Sequence, residues 1–266
     1  MRRTPLAVLA AAAAVALALT GCASGSSDGS DAGNEYGLAK AGVLTAATEG
    51  TYRPFSFHED GTGDLTGYDV DIINAVAKKL DLKVDFQETQ WDAIFAGLDS
   101  GRTDVIANQV SINPEREEKY LFSTPYTSSP GVLVVKDSTK DINDFADLDG
   151  KKSAQSLTSN WYAIAEQNGA DVEAVEGWAQ AVALLEQGRV DATINDKLTY
   201  LDYVNTKGDS GIRVAAETDD PSLSAFAFAK DKTALVKAVD GALDELTADG
   251  TIAKIGEKYF GADVSK

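Results

Sequence analysis

One cysteine, one methionine, one histidine and six prolines occur in 266 residues. Each scarcity excludes something. A single thiol forms no internal disulfide, and a chain of this length needs none, because it can bury the core of one large or two modest α/β domains. The lone histidine, His58, has no second ligand at metal spacing, so it reads as an exposed side chain in a hairpin tip, His58–Gly63. No nucleophile has an activating neighbour and no glycine-rich phosphate loop is present, so neither cofactor nor metal is expected. Basic residues are outnumbered 24 to 42, and a net charge of −18 argues against nucleic acid and anionic membrane surfaces as partners.

Long apolar runs are also missing, apart from Pro5–Leu19. That run is too short and too alanine-rich for a comfortable membrane span, and Arg2 and Arg3 precede it. Residues 1–21 therefore read as a secretory signal peptide. Its end, Leu19-Thr20-Gly21-Cys22, resembles the bacterial lipobox, in which the cysteine is diacylated and becomes the first residue of the mature chain. From Ala23 to about Asn34 the sequence is small and polar without an apolar period, so residues 22–35 form a flexible tether.

The body is organised around Asn108-Gln109-Val110-Ser111-Ile112-Asn113-Pro114-Glu115-Arg116. A buried strand, Asp104–Ala107, leads into it, and Pro114 suits the first turn of a helix. A strand thus ends in a polar loop that carries an arginine. Ligands of open α/β sheets sit beyond the carboxyl ends of strands, and a guanidinium there matches a carboxylate with two bonds. Arg116 either holds a ligand carboxylate or pairs on the surface with Glu115, Glu117 or Glu118.

Other segments place further polar groups at strand ends. Val43–Ala47 reads as a strand running into Glu49 and Tyr52, where an ammonium and an apolar group could be met, or where Tyr52 is a core-edge aromatic beside Phe55 and Phe57. Asp69 reads as the N-cap of a helix whose face carries Val70, Ile73, Ala77 and Leu80. Lys83–Glu88 alternates as a strand, and the helix after it carries Trp91 in its first turn, either over a ligand or in the core. Asp141–Asp149 reads as a short helix. Lys152–Gln155 leads through Thr158, Ser159 and Asn160 into another helix, whose first amide groups suit an anion or an ordinary cap. Ala96–Ala107 is echoed by Ala183–Ile194: a helix, a glycine suited to the C′ position, Arg, and a short strand. The first strand runs into Asn108 and Gln109, the second into Asn195 and Asp196. Two lobes of similar build around a cleft would explain the echo, and so would ordinary α/β construction.

The ordered set Tyr52-Arg53-Pro54-Phe55, Gly67-Tyr68-Asp69-Val70-Asp71, Ser100–Asp104, Asn113–Arg116, Phe122–Tyr126, Gly188–Asp191 and Ala248–Thr251 resembles solute-binding protein family 3, the extracytoplasmic receptors of amino-acid ABC transporters, across residues 42–262. The resemblance implies an α/β, two-lobed periplasmic-binding-protein-like fold of type II with two hinge-crossing strands and a ligand cleft between the lobes. Lobe 1 would comprise 36–130 and 225–266, and lobe 2 would comprise 131–224. It implies that Arg116, assisted by Ser111, holds an amino acid's carboxylate and that Asp196 takes the ammonium. Tyr52 and Trp91 would sandwich the side chain, Asn108, Gln109, Ser159 and Asn160 would form the polar wall, and Glu49 would meet a second ammonium. Ala107, Asn108 and Gln109 depart from the Gly, Ser or Met of many members, which concerns the side-chain pocket and not the head site. Ser153–Trp161, Val175–Ala181 and Thr193–Leu198 are similar to the cystine-binding members. The implied partners are the permease and ATPase of an importer and, through Cys22, the outer face of the cell membrane, with a monomeric receptor. An enzyme resembling the secreted dehydratases on this scaffold, or a receptor for another polar or cationic amino acid, is the alternative.

Overall fold

The computed structural model describes residues 34–208 and 210–265; the expected signal peptide, Cys22 and most of the tether lie outside the described residues. Lobe 1 begins with β1 (Val43–Thr48) and a small antiparallel ribbon of β2 (Thr51–Tyr52), β3 (Ser56–His58) and β4 (Leu65–Thr66). It continues through α1 (Tyr68–Lys79), β5 (Lys83–Glu88), α2 (Trp91–Asp99), β6 (Val105–Ser111), α3 (Pro114–Lys119), β7 (Tyr120–Phe122) and β8 (Thr127–Ser129). Lobe 2 contains β9 (Gly131–Lys136), β10 (Lys152–Gln155), α4 (Asn160–Gln167), β11 (Asp171–Ala174), α5 (Trp178–Glu186), β12 (Ala192–Asp196), α6 (Lys197–Lys207) and β13 (Ile212–Glu217). The chain then returns to lobe 1 with β14 (Ser222–Ala229), α7 (Thr233–Ala248) and α8 (Thr251–Phe260).

The sheets have the orders β5-β1-β6-β14-β7, with β8 also on β14, and β11-β10-β12-β9-β13. In each, one strand pairs in parallel on both sides, β1 with β5 and β6, β10 with β11 and β12. An antiparallel strand comes next, β14 on β6 and β9 on β12. Parallel pairing demands long crossovers, which is why helices alternate with these strands, and it brings the strands' carboxyl ends to one edge of each sheet. Apolar residues on both faces of sheet 1 pack against α1, α7 and α8 on one side and α2 on the other. Sheet 2 is covered by α5 on one face and α4 on the opposite face.

The echoed segments occupy equivalent places. Gly101 and Gly188 end their helices with φ of 68° and 70°, a conformation that glycine adopts without penalty. The Asp104 N–H donates to the Thr45 carbonyl at 2.8 Å, and its carboxylate accepts the Thr45 N–H at 3.0 Å and the Ala39 N–H at 2.8 Å. Asp191 repeats the motif on Lys152, donating to its carbonyl at 2.8 Å and accepting its N–H at 2.9 Å.

Four expectations change. β6 does not stop at Ala107; β14 pairs with it as far as Ser111, so Asn108, Gln109 and Ser111 lie in a strand and not in a loop. Gly67, not Asp69, is the N-cap of α1, and with φ of 138° and a Cβ there running into the Phe55 carbonyl, the position requires glycine. Asp69 lies inside the first turn, fully buried. Of the helix expected over 141–149 only a 3-10 turn forms, Phe145–Leu148, where Asp144 and Asp147 close a capping box and Leu148 alone is buried. His58 is half-buried and partnered: Nδ1 lies 2.6 Å from the Gly63 carbonyl and Nε2 lies 2.9 Å from the Glu88 carboxylate.

Candidate ligand-binding cleft

The centre of β6 is bent. Gln109 has a φ of 50°, and the register of β14 slips between Ala225 and Ala227 beside it. A side-chain-bearing residue in this region costs roughly 1–2 kcal/mol, so something must hold it there. The holder is Asp69, whose carboxylate accepts the Gln109 N–H and, at 2.9 Å, the Tyr126 hydroxyl. Burial pushes the Asp69 carboxyl up to about 7 against the pull of those hydrogen bonds. The bend delivers the Gln109 side chain to the cleft, where its Nε2 donates to Asp196 at 3.3 Å. Its Oε1 is buried with no partner among the described residues.

Two residues further along β6, the Ser111 carbonyl accepts from Arg116 Nη1 at 2.9 Å. Pro114 opens α3, and Asn113 caps it by accepting the Arg116 N–H at 2.9 Å. The arginine side chain turns inward and is 7% exposed. Its guanidinium carbon lies 5.2 Å from the centre of the Trp91 ring and 5.5 Å from that of Phe95. Nη2 crosses to lobe 2 and donates to the Thr158 carbonyl at 3.2 Å. The surface-pair reading fails, since Glu115 pairs with Lys119 at 3.2 Å and no ion pair among the described residues includes Arg116. Burial lowers its pKa to about 10 against the pull of Glu115, which leaves a desolvated cation at neutral pH with no carboxylate at ion-pair distance among the described residues.

Asp196 is the counterpart in lobe 2. Ending β12, it caps α6 by accepting the Leu198 N–H at 2.8 Å and accepts the Ser129 hydroxyl at 2.6 Å. It is 2% exposed, burial raises its pKa, and no cation pairs with it among the described residues.

Between the lobes lies a cavity of about 440 Å3. Small-molecule sites run from roughly 300 to 1,000 Å3. Of the candidate residues, Glu49, Tyr52, Trp91, Gln109, Ser159 and Asn160 line it. Asn108, Ser111, Arg116, Thr158 and Asp196 are not part of that lining. Arg116 touches it through Trp91, and Asp196 through Gln109. Asn108 acts on Glu49, donating from Nδ2 to Oε2 at 2.6 Å and accepting the Glu49 N–H at 2.8 Å. Ser159 caps α4 by accepting the Tyr162 N–H at 3.0 Å. Burial pushes the Glu49 carboxyl up to about 7; the Asn108 amide opposes the shift, while Asp92 and Glu176 add to it. The Tyr52 hydroxyl is raised well above its ordinary value by burial and then by Asp196, so it stays protonated and donates to Asn195 Oδ1 at 2.8 Å.

The candidate set omitted Glu88, Gln155, Glu176, Trp178 and Asn195, all of which line the cavity. Trp178 and Asn195 lie in runs already noted for their likeness to cystine binders. Glu88 ends an edge strand that carries no motif.

The two walls are joined directly. Besides the Arg116 and Tyr52 bonds, Thr158 donates its N–H and hydroxyl to Asp92 at 3.1 and 2.7 Å, and Arg53 pairs with Asp202 at 3.2 Å. Two α/β lobes clasped over a cavity, with a buried cation behind Trp91 and a buried anion behind Gln109, are the architecture of a binding protein that closes on a small polar ligand.

The chain belongs to the bacterial extracellular solute-binding proteins, family 3, whose model matches residues 44–262. It is 53% identical over 229 residues to the L-cystine-binding protein TcyA of Bacillus subtilis, covering 86% of this chain and 85% of the relative. The unliganded, open L-cystine solute receptor of Neisseria gonorrhoeae is 44% identical, with a TM-score of 0.57 over 88% of this chain and 97% of that one. An ancestral arginine-binding protein bound to arginine is 35% identical, yet its TM-score is 0.77 over 83% of this chain and 99% of that one. The better superposition on the ligand-bound relative, despite its lower identity, agrees with a closed cleft. As a family 3 solute-binding protein of an amino-acid ABC importer, the chain works on the extracytoplasmic side.

Proposed function

We propose that the protein captures a polar amino acid, L-cystine by preference, and presents it to the permease of an ABC importer. The observation that carries this reading is the pair of buried, oppositely charged side chains, Arg116 and Asp196, attached two residues apart along β6 through Ser111 and Gln109. Each lacks the counter-charge that an α-carboxylate and an α-ammonium would bring. The acidic lining at Glu49, Glu88 and Glu176 favours a ligand with a second ammonium, as cystine has, over a greasy one. In this reading Cys22 carries the lipid anchor, residues 1–21 are removed, the receptor is monomeric and the ligand leaves unchanged. Closure is a population shift: a ligand that touches both walls favours the clasped form.

The enzyme reading has one observation in its favour, a Glu49 carboxyl near neutrality, where a general base would sit. A thermal-shift screen of the amino acids and cystine, followed by mass spectrometry of the recovered ligand, separates the two. Cystine raises the melting temperature by mass action and returns intact. A screen in which neither cystine nor any amino acid raises it, or recovery of a converted product, removes the receptor reading.

A further inference from the structure

The cavity reaches the start of α5, which differs in kind from the start of α4. Ser159 caps α4, whereas Gly177 stands at the head of α5 with no side-chain cap, and Gln180 Oε1 accepts only the Glu176 N–H ahead of it, at 3.1 Å. The two helices lie on opposite faces of sheet 2, so their amino-terminal ends meet the cavity from opposite sides of the strand ends. Gly177, Trp178, Ala179 and Gln180 all line it, and the first amide groups of this nine-residue helix have no intrahelical acceptor. Trp178 is 8% exposed, and its indole N–H is buried without an acceptor among the described residues. A carboxylate already stands nearby, because Glu49 Oε1 lies 3.7 Å from where a Cβ on Gly177 would be.

We propose that the first turn of α5, with the Trp178 indole, is a second carboxylate subsite. It takes the far carboxylate of a ligand that has an amino-acid head at each end. This rests on the receptor reading above and adds where the second head lies. The first carboxylate goes to Arg116 beside α4, while the second displaces the Glu49 carboxylate from the start of α5. The far ammonium then falls between Glu49 and Glu176, the two carboxylates that already act on one another. Backbone N–H groups and a helix dipole favour an anion there, and a neutral indole donor adds direction without the desolvation cost of a second buried cation.

Calorimetry with three probes on the wild-type protein and on Trp178→Phe tests this. The probes are L-cystine, the mixed disulfide of cysteine with cysteamine, which lacks the far carboxylate, and that with 3-mercaptopropionic acid, which lacks the far ammonium. The wild type should bind the cysteamine disulfide about tenfold or more weakly than cystine. Trp178→Phe should weaken cystine and the mercaptopropionate disulfide by roughly three- to tenfold and leave the cysteamine disulfide unchanged. If the cysteamine disulfide binds the wild type as tightly as cystine does, or if the substitution weakens all three probes alike, the subsite is overturned while the receptor reading stands. If the wild type binds none of the three, the cystine reading itself falls and the subsite with it. A Glu49→Gln protein reads the far ammonium separately: it should weaken cystine and the cysteamine disulfide more than the mercaptopropionate disulfide, and equal losses for all three probes would also overturn the assignment.

Discussion

From Ala96 to Ala107 and from Ala183 to Ile194 the two lobes are built alike: a helix, a left-handed glycine, an aspartate clamped to the neighbouring strand, and a parallel strand. They part immediately afterwards. In lobe 1 the strand continues through a bend at Gln109 and delivers an arginine; in lobe 2 it stops at Asp196, which caps the next helix. The repeated half of each segment makes the scaffold, and the half that differs makes the chemistry. A zwitterion needs unlike walls, so the lobes can share a frame and cannot share its ends.

The largest effect should come from the chemical half. In the proposed binding mode Arg116→Ala removes the buried cation that would take the ligand's carboxylate, at a cost of ~3–5 kcal/mol, so calorimetry should show affinity falling by roughly a few hundredfold or more. Near-wild-type binding would mean that the lobes' ends are not a charge pair at all.

The repeated half should respond in stability instead, and unequally. Asp104 is fully buried and clamps two amides, while Asp191 is exposed and clamps one. Urea denaturation should show a loss of about 3 kcal/mol for Asp104→Ala and about 1 kcal/mol for Asp191→Ala. Equal losses would show that the two clamps are not set apart by burial.

Acidity sharpens the contrast further. Glu49 and Asp69, both in lobe 1, are raised by burial from ordinary carboxyl values to about 7. A raised carboxyl favours the fold while protonated; that stability is complete below the unfolded pKa and is lost as pH rises through about 7. In the proposed binding mode ligand binding has the opposite sign, because Glu49 would hold an ammonium only when ionised. The ligand-induced rise in melting temperature should therefore be larger at pH 8 than at pH 6, with affinity falling by up to about tenfold per unit below neutrality. A rise that is the same at both pH values would remove Glu49 from the ligand.

The smallest effect should be at the outer clasp. Arg53 is 45% exposed in its pair with Asp202, and such pairs contribute about 0–1 kcal/mol. Arg53→Gln should change affinity by less than about fivefold, and high salt should erase the difference. A larger loss would make the clasp a partner of the central charges.

The sequence carried the alternation of strands and helices, because apolar period and glycine punctuation are local. It also pointed to Tyr52 and Trp91, which sit beside motifs and line the cavity, and to Arg116, which lies outside the lining against Trp91. Asp69 was misread for a physical reason. Its natural role by local rules is a helix cap, and only the fold brings the bent Gln109 amide and Tyr126 to its carboxylate. Glu88 and Trp178 were missed because nothing local distinguishes a residue aimed across a cleft from one on an edge strand or in a core. The length of β6 was hidden for the same reason, since β14, more than a hundred residues later, supplies its partner.

That late partner orders the events of synthesis. All five strands of sheet 2 lie between Gly131 and Glu217, whereas β6 and β7 of sheet 1 are joined only through Ser222–Ala229. A polypeptide emerging from its amino terminus can finish its middle portion while its opening portion still shows an unpaired edge. Such an edge invites pairing with another chain, and closing so long a loop is slow. The half made first is thus the half that must wait.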